Sequence, residues 1–310
     1  MSRPRLSGRG RRPDPATGPE EARTPVTSAC GGEPSPTRRV ADLFDALSDT
    51  YDQVGVDFFA PIGAGLVQAV APRPGERVLD LGCGRGAALI PLARAVGPEG
   101  HVVGADLSAR MVEQCRRELA AAGLLHVQLL VADAQEPDWG DTDVGGLDVV
   151  VSSLVLFFLP DPAAAVARWC GLLRPGGRLG VATFGSPDLA WARVDEVFRP
   201  FLPPGMLDAR TSGASGPFAS DEGIESLLEG AGCPQPHTTH LTLEVEFADA
   251  EQWYAFSMSV GQRAMWMAVP PEHREGVKTK ALALLGESAR PDGSLGFVQD
   301  VRYTVGHRPQ

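Results

Sequence analysis

The chain has 310 residues, of which 43% are hydrophobic and 22% charged, a composition typical of a globular enzyme with one large core. Its formal net charge of -11 excludes general binding to nucleic acid, because such proteins need a basic surface to displace counterions from phosphates. No apolar run reaches the roughly 20 residues that cross a bilayer, so the sequence predicts no membrane span.

The first segment, residues 1–38, is rich in Arg, Pro, Gly, Ser and Thr and has almost no large apolar side chains. Such a segment cannot bury enough apolar surface to offset its ordering entropy, so we predict a disordered tail. Residues 39–72 differ, because apolar side chains recur at helical spacing between Val40 and Tyr51. This region is predicted to form N-terminal helices, the second of them over residues 62–70.

Short apolar runs and helical patterns alternate through residues 73–185. The strands are predicted over residues 77–81, 101–105, 127–131, 147–152 and 178–183, and the helices over residues 87–96, 109–122 and 163–173. Strand and helix in regular succession imply right-handed crossovers, and hence a parallel sheet with helices on both faces. We therefore predict a doubly wound, Rossmann-like α/β fold whose ligand lies at the carboxyl ends of the strands.

The regular alternation ends after Phe184, and residues 186–310 carry a different pattern. Helices are predicted near residues 189–198, 221–230, 250–268 and 274–285. Residues 241–247 and 296–305 alternate like strands, and we expect them to pair as an antiparallel C-terminal hairpin that completes a mostly parallel, seven-stranded sheet. Residues 248–295 are then inserted between these two strands as a helical lid over the substrate.

The five cysteines lie far apart and include no C-x-x-C pair, a pattern that fits neither a disulfide framework nor a zinc site. They are Cys30, Cys83, Cys115, Cys170 and Cys233. We expect reduced thiols in a cytoplasmic protein, and we expect no metal site.

A glycine-rich loop follows the first predicted strand, in the segment from Val78 to Gly86. Its glycines let the backbone turn sharply between strand and helix, and they let a ligand approach where a Cβ atom would collide. The spacing alone does not identify that ligand, because Gly82, Gly84 and Ala87 also satisfy the dinucleotide pattern G-x-G-x-x-[GA].

Three carboxylates at the ends of consecutive predicted strands narrow the choice of ligand. Asp80 directly precedes the glycine loop, where its carboxylate would meet the cationic amine of an amino acid or organise water around it. Asp106 ends the second strand, where a carboxylate can accept hydrogen bonds from both hydroxyl groups of a ribose. Asp133 ends the third strand, where it would accept from the exocyclic amino group of adenine.

With these motifs the sequence resembles the class I S-adenosylmethionine-dependent methyltransferases, in particular the group that includes ubiquinone, menaquinone and natural-product methyltransferases. The resemblance rests on Val78 to Gly86, Asp106, Asp133-Ala134, Asp148 to Asp161 and Leu172 to Gly177. It implies S-adenosyl-L-methionine as the cofactor and direct displacement of a methyl group by a substrate nucleophile. It also implies that the helices of residues 39–72 cover the cofactor site.

The resemblance implies cofactor-binding roles for residues in the glycine loop, at the strand ends and near the N-terminal helices. They are Tyr51, Asp80, Gly82, Cys83, Gly84, Gly86, Asp106, Leu107, Met111, Asp133, Ala134 and Ser152. Tyr51 would contact the methionine carboxylate of the cofactor, and a half-buried helix aromatic is the alternative interpretation of that residue. The chain departs from the family at Phe157 and Phe158, where many relatives carry His, so a more apolar substrate side is predicted.

The acceptor pocket is predicted from the aromatic and thioether side chains that are concentrated after Phe184. The candidates are Phe157 and Phe158, where the chain departs from the family, and Trp253, Tyr254, Arg263 and Trp266. His237 and His240, placed before a predicted strand, are the candidate general bases. An acceptor that is a carboxylate would already be ionised near neutral pH and would need no base.

These patterns predict methyl transfer to the oxygen or carbon of a small or medium, largely apolar acceptor of the secondary-metabolite or quinone type. A peptide or protein carboxylate is the alternative acceptor. Two other functional classes stay open. One is a protein of this fold that binds the cofactor, or acts as a cyclase, without methylating; the other is a nicotinamide-dependent oxidoreductase. We expect a monomer or a homodimer.

Overall fold

A computed structural model describes residues 35–203 and 216–310 of the chain. The first helix, α1 (Pro36–Leu47), begins inside the predicted tail, where the side chain of Ser35 caps it by accepting from a backbone N–H of its first turn. A proline suits this start, because the N–H it lacks would have no partner within the helix. Residues 1–34 of the predicted tail lie outside the described residues.

Strands and helices alternate in the order that the sequence predicts. The strands are β1 (Arg77–Leu81), β2 (His101–Asp106), β3 (Val127–Val131), β4 (Leu147–Ser153), β5 (Leu173–Phe184), β6 (His237–Phe247) and β7 (Leu295–His307). The described helices after α1 are α2 (Phe59–Val70), α3 (Leu89–Val96), α4 (Ala109–Ala121), α5 (Pro162–Leu172), α6 (Leu189–Asp195), α7 (Asp221–Gly230), α8 (Ala250–Ser259), α9 (Arg263–Ala268) and α10 (Pro271–Gly286). Short 3₁₀ turns cover Leu156–Phe158 and Glu196–Phe201.

The described strands form one seven-stranded sheet in the order β3-β2-β1-β4-β5-β7-β6. The strands β1 to β5 run parallel, with Leu79 opposite Val103 and Val151 opposite Gly180, whereas β7 runs antiparallel to both β5 and β6. This confirms the predicted doubly wound, mostly parallel sheet with an antiparallel C-terminal hairpin. The strand order reverses between β1 and β4, which is the switch point where such sheets bind their ligands.

Among the predicted elements whose bounds differ from the structure, two lie next to predicted site residues. The strand β6 begins at His237, ahead of the predicted start at residue 241, because its backbone pairs with β7 from His237 opposite Val305 onward. The single helix predicted over residues 250–268 is instead two helices, since Val260 adopts an extended backbone with φ of -125° and ψ of -178°. Both differences change the surroundings of predicted site residues.

The sheet buries apolar side chains on both faces, as the alternation along its strands dictates. Val78 and Val102 pack on one face with α2 and α3, while Leu79 and Val103 pack on the other with α5. Tyr303 of β7 ties α2 to the sheet, because its hydroxyl donates to a backbone carbonyl of α2 at 3.0 Å. The helix α2 is thereby fixed beside the glycine loop.

The lid, formed by α8, α9 and α10, is attached to the sheet by a cluster of aromatic rings. Trp191 of α6 contacts Phe247, Phe256 and Phe297 with ring centroids 5.4 to 6.2 Å apart. Trp253 of α8 is fully buried against the same cluster. Tilted and edge-to-face ring pairs add to the stabilisation from apolar burial. The lid therefore packs as part of the hydrophobic core.

The four cysteines among the described residues are buried and free, and Cys30 lies outside the described part of the chain. Cys170 and Cys233, distant in sequence, meet in the core with their Sγ atoms 2.8 Å apart. Within residues 35–203 and 216–310, no group of three or more His, Cys, Asp or Glu side chains could hold a metal ion. None of the helices described there combines the length and the apolar character that crossing a membrane requires.

Gly63 sets the distance between α2 and the segment that follows the glycine loop. A Cβ atom on Gly63 would lie 2.3 Å from the backbone oxygen of Ala87, whereas one on the exposed Gly276 of α10 would meet no atom within 4 Å. We expect Gly63→Ala to lower the free energy of unfolding by about 1 to 3 kcal/mol through overpacking. The matched control Gly276→Ala should raise it by about 0.5 to 1 kcal/mol, because alanine favours an exposed helix. Chemical denaturation measures both changes, and a stabilised Gly63→Ala would contradict the close packing.

Candidate functional site

The glycine loop curls against the end of β2 through its backbone. The N–H groups of Gly82 and Cys83 both donate to the carbonyl of Ala105, at 2.7 and 3.0 Å. Gly82, Gly84 and Gly86 have φ angles of 75°, 51° and 102°, which glycine adopts at little steric cost. A Cβ atom on Gly82 would lie 2.2 Å from a valine side chain, whereas one on Gly84 would meet nothing within 4 Å. The loop therefore leaves open space for a ligand at Gly84.

Asp106 lies at the end of β2 and joins the glycine loop to α4. Its Oδ2 atom accepts from the N–H of Gly84 at 2.8 Å, and its Oδ1 atom accepts from the N–H of Ser108 at 2.9 Å. Ser108, not Asp106, caps α4, because its Oγ atom accepts from the N–H of Met111. Burial raises the pKa of Asp106, and the two backbone donors partly offset that rise. Each carboxylate oxygen keeps a further lone pair, so Asp106 can also accept from a ligand in the cavity that it lines.

Asp80 is a buried carboxyl group without a partner. It is 1% exposed behind the glycine loop, and neither of its side-chain oxygens has a hydrogen-bond partner among the described residues. Desolvation, and to a smaller extent the charge of Asp106, raise the pKa of Asp80 to about 8. Buried polar groups normally have partners, so this exception requires an explanation. A positive charge nearby would favour its ionised form, and the ammonium group of an amino-acid ligand stays the sequence-based prediction for that charge.

Hydrogen bonds hold the N-terminal helices over the glycine loop. Arg85 of the loop donates to the carbonyls of Ser48 and Tyr51, each at 3.2 Å, and pairs with Glu118 of α4 at 2.6 Å. Asp45 of α1 accepts from the hydroxyl of the serine that caps α4, at 2.5 Å. The chain before β1 is therefore attached both to the loop and to the helix that follows β2.

Tyr51 lies between Phe44 and Phe59, with ring centroids 6.0 and 4.7 Å from its own. Burial, followed by the charges of Asp52 and Asp106, raises the pKa of Tyr51, so its phenol is protonated at neutral pH. A protonated phenol at a cavity wall can donate to an anionic ligand group such as a carboxylate. Both the cofactor contact and the packing role inferred from the sequence are compatible with this position.

One continuous cavity of about 1470 Å³, including space open to solvent, extends from the glycine loop to the lid. At its loop end it is lined by these predicted cofactor residues: Tyr51, Gly82, Gly84, Asp106, Leu107, Met111, Asp133 and Ala134. They come from the N-terminal segment, from the first turn of α4, and from the carboxyl ends of β1, β2 and β3, which the parallel register places at one edge of the sheet. The structure therefore brings together residues that are far apart in sequence.

Four predicted cofactor residues lie behind the cavity wall rather than on it. Asp80 and Cys83 are buried, and the N–H of Gly86 donates to the carbonyl of Cys83 at 2.8 Å, which closes the loop. The hydroxyl of Ser152 donates to a backbone carbonyl of β1 at 2.9 Å. Ser153, which sequence reasoning missed, lines the cavity. The prediction that the end of β4 lines the site was therefore wrong by one residue. Successive side chains of a strand point to opposite faces, so when Ser153 faces the cavity its neighbour Ser152 does not.

The lid end of the cavity, next to α6, α8 and the turn that follows α8, has aromatic walls. The predicted Phe157 and Phe158 line it, and the ring of Phe157 stacks on that of Phe184 with centroids 5.5 Å apart. The aromatic side chains that line the cavity beyond those predicted are Phe44, Phe58, Phe59, Phe184, Trp191 and Phe256. Phe184 ends β5, so the strand-end rule that located the carboxylates could have found it. The helical residues carry no such signal, because core and cavity aromatics share the same spacing.

Four predicted pocket residues do not line the cavity: Trp253, Tyr254, Arg263 and Trp266. Trp253 is fully buried in the core, and the Nε1 atom of Trp266 donates to the hydroxyl of Ser257 at 2.9 Å. Tyr254 packs edge-on against Trp266 and lies 4.2 Å beneath the ammonium group of Lys278. Arg263 begins α9, after the break between the two helices. The two tryptophans and the tyrosine pack within the lid and against its neighbours, away from the cavity.

The polar side chains at the lid end are acidic or neutral. Asp188, Asp195, Gln262 and Gln299 line the cavity, and its described lining residues include no Lys, Arg or His. Asp188 caps α6 with one oxygen, while its other oxygen accepts from the N–H of Val298 at 3.1 Å. This end of the cavity therefore presents hydrogen-bond acceptors without a cation from the described lining residues.

The two candidate bases, His237 and His240, lie on the edge strand β6 and do not line the cavity. The imidazole of His240 bridges two carboxylates, with Nε2 2.9 Å from Asp221 and Nδ1 2.9 Å from Asp300. Arg302 also donates to Asp221, at 2.6 Å. These hydrogen bonds, first to Asp221 and then to Asp300, raise the pKa of His240. The histidine connects α7 with β6 and β7.

The matching family model and two of the most similar relatives are all named as methyltransferases. The model of a methyltransferase domain matches residues 78–177. Nocamycin O-methyltransferase of Saccharothrix syringae is 35% identical over 275 residues, which cover 85% of this chain and 96% of that protein. Aklanonic acid methyltransferase DauC of a Streptomyces strain is 43% identical over 171 residues, which cover 54% of this chain and 71% of that protein.

Solved structures show the same fold. A Bacillus halodurans protein named as a methyltransferase superposes with a TM-score of 0.52 at 19% identity, covering 80% of this chain and 99% of that one. The seven-stranded sheet with its antiparallel C-terminal strands is therefore the arrangement of the methyltransferase fold.

The ion pairs of His240 predict a pH-dependent contribution to stability. Its folded pKa is raised above the ordinary 6.5, so the contribution is complete below about pH 6.5 and is lost as the pH rises through the raised value. We expect His240→Ala to lower the melting temperature more at about pH 6 than at about pH 9, by a small amount because these groups are partly exposed. His237→Ala, on the same strand and exposed, is the control. Parallel pH profiles for the two variants would contradict the role of His240.

Proposed function

Because the chain belongs to the S-adenosylmethionine-dependent methyltransferases, we propose that it methylates an acidic oxygen atom of a largely apolar, aromatic small molecule of the natural-product or quinone type. The observation that carries this proposal is the continuous cavity, which joins the glycine loop and Asp106 to a chamber walled by aromatic rings. When bound, the cofactor supplies an electrophilic methyl group. The protein has to align the acceptor with that group and exclude water.

The loop end offers a donor or acceptor for each part of the cofactor. In the proposed complex Asp106 accepts from the ribose hydroxyls, and Asp133 with Ala134 contacts the adenine; all three residues line the cavity. Asp80 supplies the negative charge for the ammonium group, while the protonated phenol of Tyr51 suits the carboxylate. These assignments follow the order of the strands, because β1, β2 and β3 lie side by side with their carboxyl ends at one edge.

The lid end suits flat rings. Phe157 and Phe184 are nearly parallel, at an interplanar angle of 24°, and Phe58 meets Phe256 edge-on at 5.4 Å. Walls of this kind bind an aromatic skeleton through apolar burial and ring contacts. Among the relatives, one is named for nocamycin and another for aklanonic acid, which supports an acceptor of the natural-product type.

An acidic acceptor oxygen explains how methyl transfer can occur without a histidine base among the described lining residues of the cavity. Both predicted histidines lie away from the cavity, and both carboxylate oxygens of Asp188 already accept from backbone N–H groups. A carboxylate, or a strongly acidic enol, is ionised near neutral pH and needs no proton acceptor. Its negative charge is then favoured beside a cationic cofactor and disfavoured beside the acids of the lid end. Charge therefore orients the acceptor with its acidic oxygen toward the loop end.

Methyl transfer from labelled cofactor to a panel of aromatic carboxylic acids and acidic quinones tests this function. We expect transfer to oxygen, and we expect Ala192→Phe to lower kcat/KM by about tenfold or more, because the added ring fills the lid end. Affinity for S-adenosylhomocysteine should stay unchanged in that variant. Leu189→Phe, whose side chain on the same helix is 82% exposed, is the matched control. Cofactor binding without transfer to any acceptor, or stabilisation by a nicotinamide dinucleotide alone, would contradict the proposal.

The buried Asp80 predicts a pH-dependent affinity for the cofactor. Its pKa is raised to about 8 in the free protein, and a cationic ligand favours the ionised form, so binding below that pH must release a proton. We expect the affinity for S-adenosylhomocysteine to rise by up to about tenfold per pH unit between about pH 6 and about pH 8. In Asp80→Asn the affinity should be lower and this dependence should be lost. Calorimetric titration across that range measures both.

The same substitution gives an independent control for folding. An acid whose folded pKa is raised destabilises the protein above its unfolded pKa of 3.8, since ionisation is easier in the unfolded chain. Asp80→Asn should therefore raise the melting temperature of the free protein at neutral pH while it weakens cofactor binding. A variant that binds as tightly as the wild type, with an unchanged pH profile, would exclude the ammonium contact.

A further inference from the structure

A buried polar pair lies in the otherwise aromatic lid end of the cavity. Asp195 ends α6, and Gln262 lies in the turn between α8 and α9; both line the cavity although their residues are only 4% and 3% exposed. The Nε2 atom of Gln262 donates to the Oδ1 atom of Asp195 at 2.6 Å. Neither side chain is among the proposed cofactor contacts.

The hydrogen bond orients the amide of Gln262. A carboxylate can only accept, so the amide nitrogen faces Asp195 and the amide oxygen is directed away from it. Gln262 is thus held on the cavity wall with its acceptor atom, Oε1, in a restricted orientation.

The charges around this acceptor decide which chemical group could bind to it. An anionic group would be repelled by Asp188, whose two carboxylate oxygens accept from backbone N–H groups, and the described lining residues of the cavity include no Lys, Arg or His. A purely apolar group would bury the amide oxygen without a donor, which is costly in the interior of a protein. A neutral hydroxyl group satisfies both conditions, since it donates a hydrogen bond and carries no charge.

We propose that Gln262 is a specificity residue that accepts a hydrogen bond from a hydroxyl group on the ring system of the acceptor, with Asp195 as the positioning residue for its amide. The inference rests on the proposed function and adds a second polar end to the acceptor. The acidic oxygen faces the loop end, and a phenolic or alcoholic hydroxyl faces the lid end. A site built to bind a hydroxyl rejects analogues that lack it, because its own polar atoms are then left unpaired.

Binding of naphthoic acid and of naphthoic acids with one hydroxyl group at successive ring positions tests the inference. Titration calorimetry uses the full chain saturated with S-adenosylhomocysteine. For at least one ring position we expect the hydroxylated probe to bind about tenfold more tightly than naphthoic acid. In Gln262→Met, which keeps the length of the side chain and removes its acceptor, this preference should disappear while affinity for naphthoic acid is retained. Gln299→Met, which alters another amide of the cavity wall, should keep the preference.

Asp195→Ala separates positioning from packing. Without the carboxylate the amide of Gln262 can rotate, so the preference for the hydroxylated probe should fall while affinity for naphthoic acid is maintained. A general loss of packing would weaken both probes alike and leave their ratio unchanged. The ratio of the two dissociation constants is therefore the diagnostic quantity.

Three results would overturn the inference. Equal binding of every hydroxylated and unhydroxylated probe by the wild type would do so and leave the proposed function intact. A preference that persists in Gln262→Met would also do so, because the hydroxyl would then have another partner. If the wild type binds none of the naphthoic acids, the inference falls together with the aromatic acceptor of the proposed function.

Discussion

The hydrogen bonds that fasten the glycine loop to the end of β2 are the interaction on which the site depends. The N–H groups of Gly82 and Cys83 share the carbonyl of Ala105, and that of Gly84 binds Asp106. They hold the loop in a conformation that glycine adopts readily, and they place a carboxylate at the cavity wall. The arginine of the loop also holds the N-terminal segment, so one short loop positions two parts of the wall at the loop end of the cavity.

Stability and function oppose each other at Asp80. A buried carboxyl group without a partner costs free energy in the free protein, and its raised pKa reports that cost. In the proposed function, the cationic ammonium group of the cofactor makes the ionised form of Asp80 favourable. Local departures from the rule that buried polar groups are paired are expected at functional sites, where binding supplies the missing partner. At the lid end, the proposed partner of the pair Asp195 and Gln262 is a neutral hydroxyl group of the ligand, which would donate to the amide oxygen of Gln262.

The loop end was largely predictable, and the lid end was not. Asp106 and Asp133 could be located because parallel strands share one edge, so the last residues of β1, β2 and β3 must lie close together. Trp253 and Phe256 show the limit of such reasoning, since both are aromatic residues of α8 but only Phe256 lines the cavity. The spacing of apolar residues tells which are buried, but the rotation of a packed helix decides whether they face the core or the ligand.

By itself the sequence determined the alternation of strands and helices, the glycine loop and the row of acids, because each depends on local periodicity or on the shared edge of a parallel sheet. Only the tertiary structure decided that His240 bridges Asp221 and Asp300 away from the cavity, and that Gln262 meets Asp195. These pairs join residues on different elements, and their contact depends on the register of β6 and β7 and on the break between α8 and α9. Such contacts are set by packing between distant segments, which no local pattern in the chain records.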